Sequence, residues 1–204
     1  MNTRELIDEV SELVGAEKFL EAERLLLSAR RQADEGGDIQ ERLLVISELI
    51  ELYCVAEPDN LPEAEKLSLE REALSGDAGT RLQTATLFSY VLQNDERTVQ
   101  KAREAIELGT AQDDSITVYT SLSVLGQSLL KLGRVPEAIL ALDEIGAMVE
   151  AKRRIIVGDE TAFLEALQEQ HLGGGRVAKI ASTLVPRCRN EVFKRRLESL
   201  VTES

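Results

Sequence analysis

The sequence predicts an all-α fold: a right-handed α-solenoid of about five antiparallel helical hairpins, closed by a C-terminal capping helix. Three observations carry this expectation. Apolar residues recur at helical spacing along nearly all of the 204 residues. Aromatics make up only 3% of the chain, Trp is absent and four prolines occur. That composition suits close helix packing and not a sheet core, which draws on β-branched and aromatic residues. Finally, the segment Val135-Pro136-Glu137-Ala138 returns almost letter for letter as Leu61-Pro62-Glu63-Ala64 and more loosely as Phe19–Ala22.

The first hairpin spans residues 3–35. Thr3 can cap a helix that carries Leu6, Val10, Leu13 and Val14 on one face, and Gly15 breaks it. Its second helix carries Phe19, Ala22, Leu25, Leu26 and Ala29 and stops at Gly36-Gly37. The second hairpin, 38–75, opens on Asp38 as N-cap. It shows Leu43, Ile46, Leu49, Ile50 and Tyr53 on one stripe, turns at Glu57-Pro58-Asp59-Asn60 and continues through Leu61–Ala64. The third, 78–109, follows Ser75-Gly76-Asp77. Leu82, Ala85, Leu87, Phe88 and Val91 form its first helix, Asn94-Asp95 the turn, and Val99, Ala102, Ile106 and Gly109 its second.

The fourth hairpin, 113–157, begins at Asp113-Asp114-Ser115, whose oxygens can take up free helix N–H groups. Leu122, Leu125 and Leu129 share a face. Gly126 stands inside that helix, where glycine costs about 1 kcal/mol against alanine, so its presence predicts the close approach of a neighbouring helix. Gly133 ends the helix as a left-handed cap. Pro136 sits at the start of the next, where its missing N–H is harmless. Val135, Ala138, Leu142 and Ile145 form the second stripe, and the helix is expected to run to about Val157. The fifth unit, 159–185, has Asp159 as cap, then Phe163, Leu164, Leu167 and His171. Gly173-Gly174-Gly175 makes a flexible turn, and Val177, Ile180 and Leu184 follow until Pro186. His171, the one histidine, falls on the apolar stripe and reads as a packed residue. The capping helix, 187–201, has Val192, Phe193, Leu197, Leu200 and Val201 on its apolar side. Its rival reading is a docking or homodimerisation element.

The 122–145 segment resembles the tetratricopeptide repeat. Leu122 takes the place of that family's Trp, Leu125-Gly126 match its Leu-Gly, Leu129 takes the Tyr position, Ala138 the small residue and Leu142 the aromatic. The closing Pro is absent, with Glu150 in its place. Equivalent positions Ala22, Ala64, Ala102, Ala138 and Ile180 are spaced 42, 38, 36 and 42 residues apart, longer than the family's roughly 34. The resemblance implies a single helical-repeat domain over 1–204, because a lone hairpin cannot bury its stripe and must stack on neighbours. It also implies a concave groove lined by the first helix of each hairpin. Candidate groove residues are Ser47, Glu51 and Cys54; Ser89 and Gln93; and Thr120, Ser123, Gln127 and Lys131, with Leu44 and Leu92 within reach. The family's Lys and Asn clamp for a terminal carboxylate is not present, since Lys131 stands alone. That argues against a chaperone-tail adaptor.

The net charge of −13 is uneven. Residues 1–149 hold 14 Lys and Arg against 29 Asp and Glu, and residues 150–204 hold 10 against 8. An acidic body disfavours nucleic-acid backbones, whose affinity comes from Lys and Arg. No apolar run approaches the ~20 residues of a membrane span, and the first segment reads as an amphipathic helix and not as a signal peptide. With two distant cysteines, Cys54 and Cys188, the expected setting is a reducing cytoplasm, and both thiols read as small buried hydrophobes. No metal-ligand spacing, phosphate loop or nucleophile motif is present, so no catalytic residue, cofactor or metal is expected. The expected function is a non-enzymatic scaffold that binds a peptide or partner domain. The alternatives are a small acidic chaperone for a secreted or aggregation-prone client, and a regulatory hydrolase on the same scaffold, which the lone His171 disfavours.

Overall fold

The computed structural model describes residues 3–56, 60–158 and 160–202. All elements among them are helical. The side chain of Thr3, the turn residues 57–59 and the expected cap Asp159 lie outside the described part. The chain falls into two compact units, Met1–Gly76 and Asp77–Ser204, which are described separately.

The first unit holds α1 (Thr3–Gly15), α2 (Phe19–Gly36), α3 (Ile39–Ala56) and α4 (Leu61–Ser75), with each helix packed on the next. The expected stripes face inward: Leu6, Val10, Ala22, Leu26, Ile46, Leu49, Ile50 and Tyr53 are all buried. Asp38 is the N-cap of α3, its Oδ1 accepting from the backbone N–H groups of Gln40 (2.9 Å) and Glu41 (3.1 Å). Three helices are also tied by charge. The Glu70 carboxylate on α4 accepts from Arg30 of α2 at 2.7 Å and Arg42 of α3 at 2.7 Å, and Arg42 reaches Asp34 at 3.0 Å. Burial pushes the Glu70 carboxyl up, but the hydrogen bond from Arg42 and the charge of Arg30 outweigh it and hold it below the usual carboxylate range.

The second unit holds α5 (Ala78–Thr86), α6 (Asp95–Ala111), α7 (Ser115–Lys131), α8 (Val135–Glu150), α9 (Thr161–Glu169), α10 (Gly175–Leu184) and α11 (Glu191–Thr202). Three acidic or amide caps start helices where the sequence places them. Asp77 accepts from Thr80 N–H at 2.8 Å, Asn94 from Arg97 N–H at 3.2 Å and Asp114 from Thr117 N–H at 3.1 Å. Ion pairs reveal the helix directions. Lys131 at the end of α7 meets Asp95 at the start of α6 at 3.6 Å, and Arg134 before α8 meets Glu96 at 3.6 Å. Thus α7 runs antiparallel to α6, and α8 runs alongside α6. Gly126 behaves as its placement predicts. A Cβ there would lie 2.3 Å from Cζ of Phe163 on α9, so the glycine is what lets that ring press onto α7.

Ala22, Ala64, Ala102 and Ala138 each have no exposed surface, and Ile180 has 6%. All five lie on even-numbered helices, at the positions aligned from the sequence. At each, a small or compact side chain admits its neighbours closely.

Several expectations are corrected. The helix of 78–91 is not uniform: after Thr86 it widens into a π-helical turn, Leu87–Val91, with Leu92 N–H bonding Leu87 O at 3.0 Å. The hydroxyls of Thr84 and Thr86 bond to carbonyls four residues back just before it, a pattern that bends helices. Helix α8 stops at Glu150 and not near Val157. Lys152 adopts φ 53°, and Lys152 N–H→Val149 O (3.1 Å) with Arg153 N–H→Met148 O (3.1 Å) closes a Schellman motif. That backbone motif ends the helix without the repeat's proline. His171 is not a packed residue. It is exposed, with φ 56°, at the same left-handed position after α9. There His171 N–H→Gln168 O (2.9 Å) and Leu172 N–H→Leu167 O (2.8 Å) complete another Schellman motif. The capping helix also divides differently. On α11, Leu197 and Leu200 are buried against α9 and α10 and Phe193 packs on Gly158, while Val192 is 67% exposed.

Three measurements test this account. Gly126→Ala drives a methyl into a fully buried ring, and we expect it to lower stability by about 1–3 kcal/mol, read from chemical unfolding. His171→Gly relieves a left-handed non-glycine residue and should raise stability by about 1 kcal/mol. Glu70→Gln should cost about 1–2 kcal/mol near neutral pH. Because the folded carboxyl sits below its unfolded value, the wild-type advantage is full above the unfolded pKa of about 4.3 and vanishes as pH falls through the folded one. Parallel unfolding curves of the two proteins from pH 7 to pH 3 read this directly.

Candidate functional site

Between Asp114 and Lys131 the chain carries no charged residue. The structure uses that stretch as the centre of the second unit. Every residue of α7 from Ser121 to Leu130 is buried, because α5, α6, α8 and α9 all pack on it.

This decides where the expected groove residues lie. Ser123 is 1% exposed and its hydroxyl donates to Tyr119 O at 3.3 Å. Gln127 is 9% exposed, and the Tyr90 hydroxyl donates to its Oε1 at 3.4 Å. Ser89, in the π-helical turn, is 2% exposed. Thr120 is half-buried, and Lys131 is exposed but paired with Asp95. Gln93 is exposed beyond the π turn at φ 49°, off the helix. The face of α7 expected to line an open groove is thus covered by this chain's own side chains. In the first unit Ser47, Glu51 and Cys54 do share one face of α3. Ser47 is engaged, donating to Leu43 O at 3.0 Å and accepting from Arg71 at 3.2 Å. Cys54 is half-buried, and burial, then the charge of Glu51, pushes its thiol up. A raised thiol is protonated and a poor nucleophile.

A concave surface does exist on the other side of α7. Leu122, Leu125 and Leu129 form its floor, and α6 and α8 form its walls, enclosing about 280 Å³. The α6 wall is Arg103, Ile106 and Glu107; the α8 wall is Glu137, Leu140, Ala141 and Glu144. Leu140 is 62% exposed, an apolar side chain facing water at the edge of an apolar floor. Position 140 lies off the Val135–Ala138–Leu142–Ile145 stripe, so a leucine there was the sequence's signal for this surface.

The electrostatics of this groove differ between its ends. Toward the start of α6 and α8, Arg103 spans the walls to Glu137 at 2.5 Å, and Arg134 holds the same carboxylate at 2.7 Å and reaches Glu96. The hydrogen bond from Arg134, then that from Arg103, keeps the Glu137 carboxyl below its usual range. Two cations and two anions balance there. Farther along the same direction, Glu107 and Glu144 line the groove, and neither has an ion pair among the described residues.

No helix among the described residues is long and apolar enough to cross a membrane. Comparison with known proteins adds little to this geometry. No family model matches the chain. No curated protein matches it. A solved structure described as "DHF58 filament" is similar over 98% of this chain and 85% of that one, at 17% identity and a TM-score of 0.22, a likeness too slight to inform fold or function.

Proposed function

We propose that this protein is a non-enzymatic interaction scaffold of the tetratricopeptide type, its hairpins stacked as a right-handed solenoid, which seats an apolar segment of a partner protein between α6 and α8. The observation that carries the reading is the exposed Leu140 beside the apolar floor of Leu122, Leu125 and Leu129. A side chain of that kind at the lip of a concavity is stabilised by an apolar occupant. The groove's volume lies just below the roughly 300–1,000 Å³ typical of ligand pockets, which suits two or three side chains of a peptide and not a whole domain. The floor leucines cover about two helical turns, matching a partner helix with anchors at i, i+4 and i+7. The seat so proposed is the α6–α8 face, in place of the covered Ser123–Gln127 face. Free thiols at Cys54 and Cys188 support a reducing setting.

The test uses an acetylated, amidated helical peptide of about 14 residues with three leucines at that spacing on an alanine and glutamine background. Wild-type protein is expected to bind it saturably. Leu140→Glu, at an exposed position that leaves the melting temperature unchanged, should weaken binding at least about tenfold. Equal affinity in the two proteins would rule the groove out.

A further inference from the structure

Resting on that reading, we infer that the α6–α8 groove selects a basic amphipathic helix and fixes its direction, with the partner's Lys or Arg residues at the Glu107–Glu144 end. Three observations combine. First, the floor is apolar along its whole length, so burial alone accepts any apolar segment in either direction. Second, the four charges at the Arg103 end satisfy one another: Glu137 takes both arginines, and Arg134 also reaches Glu96. An occupant charge of either sign gains little there. Third, Glu107 and Glu144 stand on opposite walls at the other end, without a counter-charge among the described residues. Both line the same cavity, so a cation seated at that end meets two carboxylates.

Selectivity follows from the arrangement. A cationic group at the Glu107–Glu144 end gains two attractive partners at the edge of a low-dielectric floor. The same group at the Arg103 end meets two guanidinium groups. An acidic group at the Glu107–Glu144 end is repelled by both carboxylates. Charge thus supplies direction and discrimination, while the leucine floor supplies the bulk of the affinity. The strongly acidic composition of residues 1–149 adds a long-range field that draws basic segments in without choosing a direction.

The probes are the three-leucine peptide and a variant of it with two lysines in place of glutamines in the terminal turn at one end, and a benzophenone at the other. The lysine peptide is expected to bind wild type about three- to tenfold more tightly than the neutral one at low salt. That preference should fade at roughly 0.5 M salt. Glu107→Gln with Glu144→Gln, both exposed positions, should abolish the preference and leave the neutral peptide's affinity as it was. The benzophenone should crosslink near residues 133–137 and not near 107–111 or 144–148. If both peptides bind equally while Leu140→Glu weakens both, the charge selection is wrong and the groove stands. If the lysine preference survives the double glutamine variant, it belongs to the acidic body and this inference is overturned. Crosslinks spread over both ends overturn the fixed direction. If Leu140→Glu changes neither affinity, the groove itself is not the binding site.

Discussion

The Phe163 ring occupies the place where any side chain on residue 126 would sit, and much of the second unit depends on that contact. A glycine within a helix gives up backbone order and a packing side chain at once. It is stabilised here because the absent Cβ lets a fully buried aromatic from α9 close the flank of α7 that α6 and α8 leave open. With that flank closed, every residue of α7 from Ser121 to Leu130 is buried, and apart from Gln127, which accepts from Tyr90, its polar side chains there are serines, of which Ser123 turns its hydroxyl back to Tyr119 O. Beside it, α6 and α8 form the walls of a groove floored by Leu122, Leu125 and Leu129 of α7.

The helix ends rely on backbone more than on glycine. Glycine takes the left-handed position after α2, α4 and α7, at Gly37, Gly76 and Gly133, but Glu17, Asp113, Lys152 and His171 take it after α1, α6, α8 and α9. After α1, α6, α7, α8 and α9 the same pair of hydrogen bonds holds the turn, donated by the left-handed residue and the residue after it. The local strain of the four non-glycine residues is offset by the satisfied carbonyls, and at His171 also by Leu172, which packs against the core. The lone histidine is therefore a turn residue. Its exposure and backbone geometry account for its position.

Charge is distributed in a way that leaves a residue of specificity. Arginines on α2, α3, α6 and α11 are largely consumed within their own units: Arg30 and Arg42 by Glu70, Arg103 by Glu137, and Arg196 by Glu165 in a bidentate contact. In an acidic chain such pairing uses up the cations first, and the carboxylates left over mark where outside cations gain most. At the α6–α8 groove those are Glu107 and Glu144. The basic character of the C-terminal region is partly spent in the same way, since α11 uses Arg196 to dock on α9 while Leu197 and Leu200 anchor it.

Local chemistry in the sequence determined the helices, most of their boundaries and their inward stripes. Asp38, Asp77 and Asp114 cap because a short carboxylate can reach only the N–H groups two or three residues on. Ala22, Ala64, Ala102 and Ala138 are buried because each sits on its helix's apolar stripe. Periodicity, however, reports one stripe per helix and not how many neighbours will surround it. That number is a tertiary quantity. It decided that α7 would be surrounded by four helices, that Ser123 and Gln127 would be buried, and that Leu140, off every stripe, would stand exposed beside a groove. Two traces of this stood in the chain: the charge-free run from Ser115 to Leu130, since a helix surrounded by others has nowhere to put an ion, and the off-stripe leucine at position 140. The end of α8 and the place of His171 were also beyond local reading. A left-handed turn at Lys152 or His171 is disfavoured by the residue's own sterics and is chosen because packing before and after it, together with two backbone hydrogen bonds, outweighs that preference.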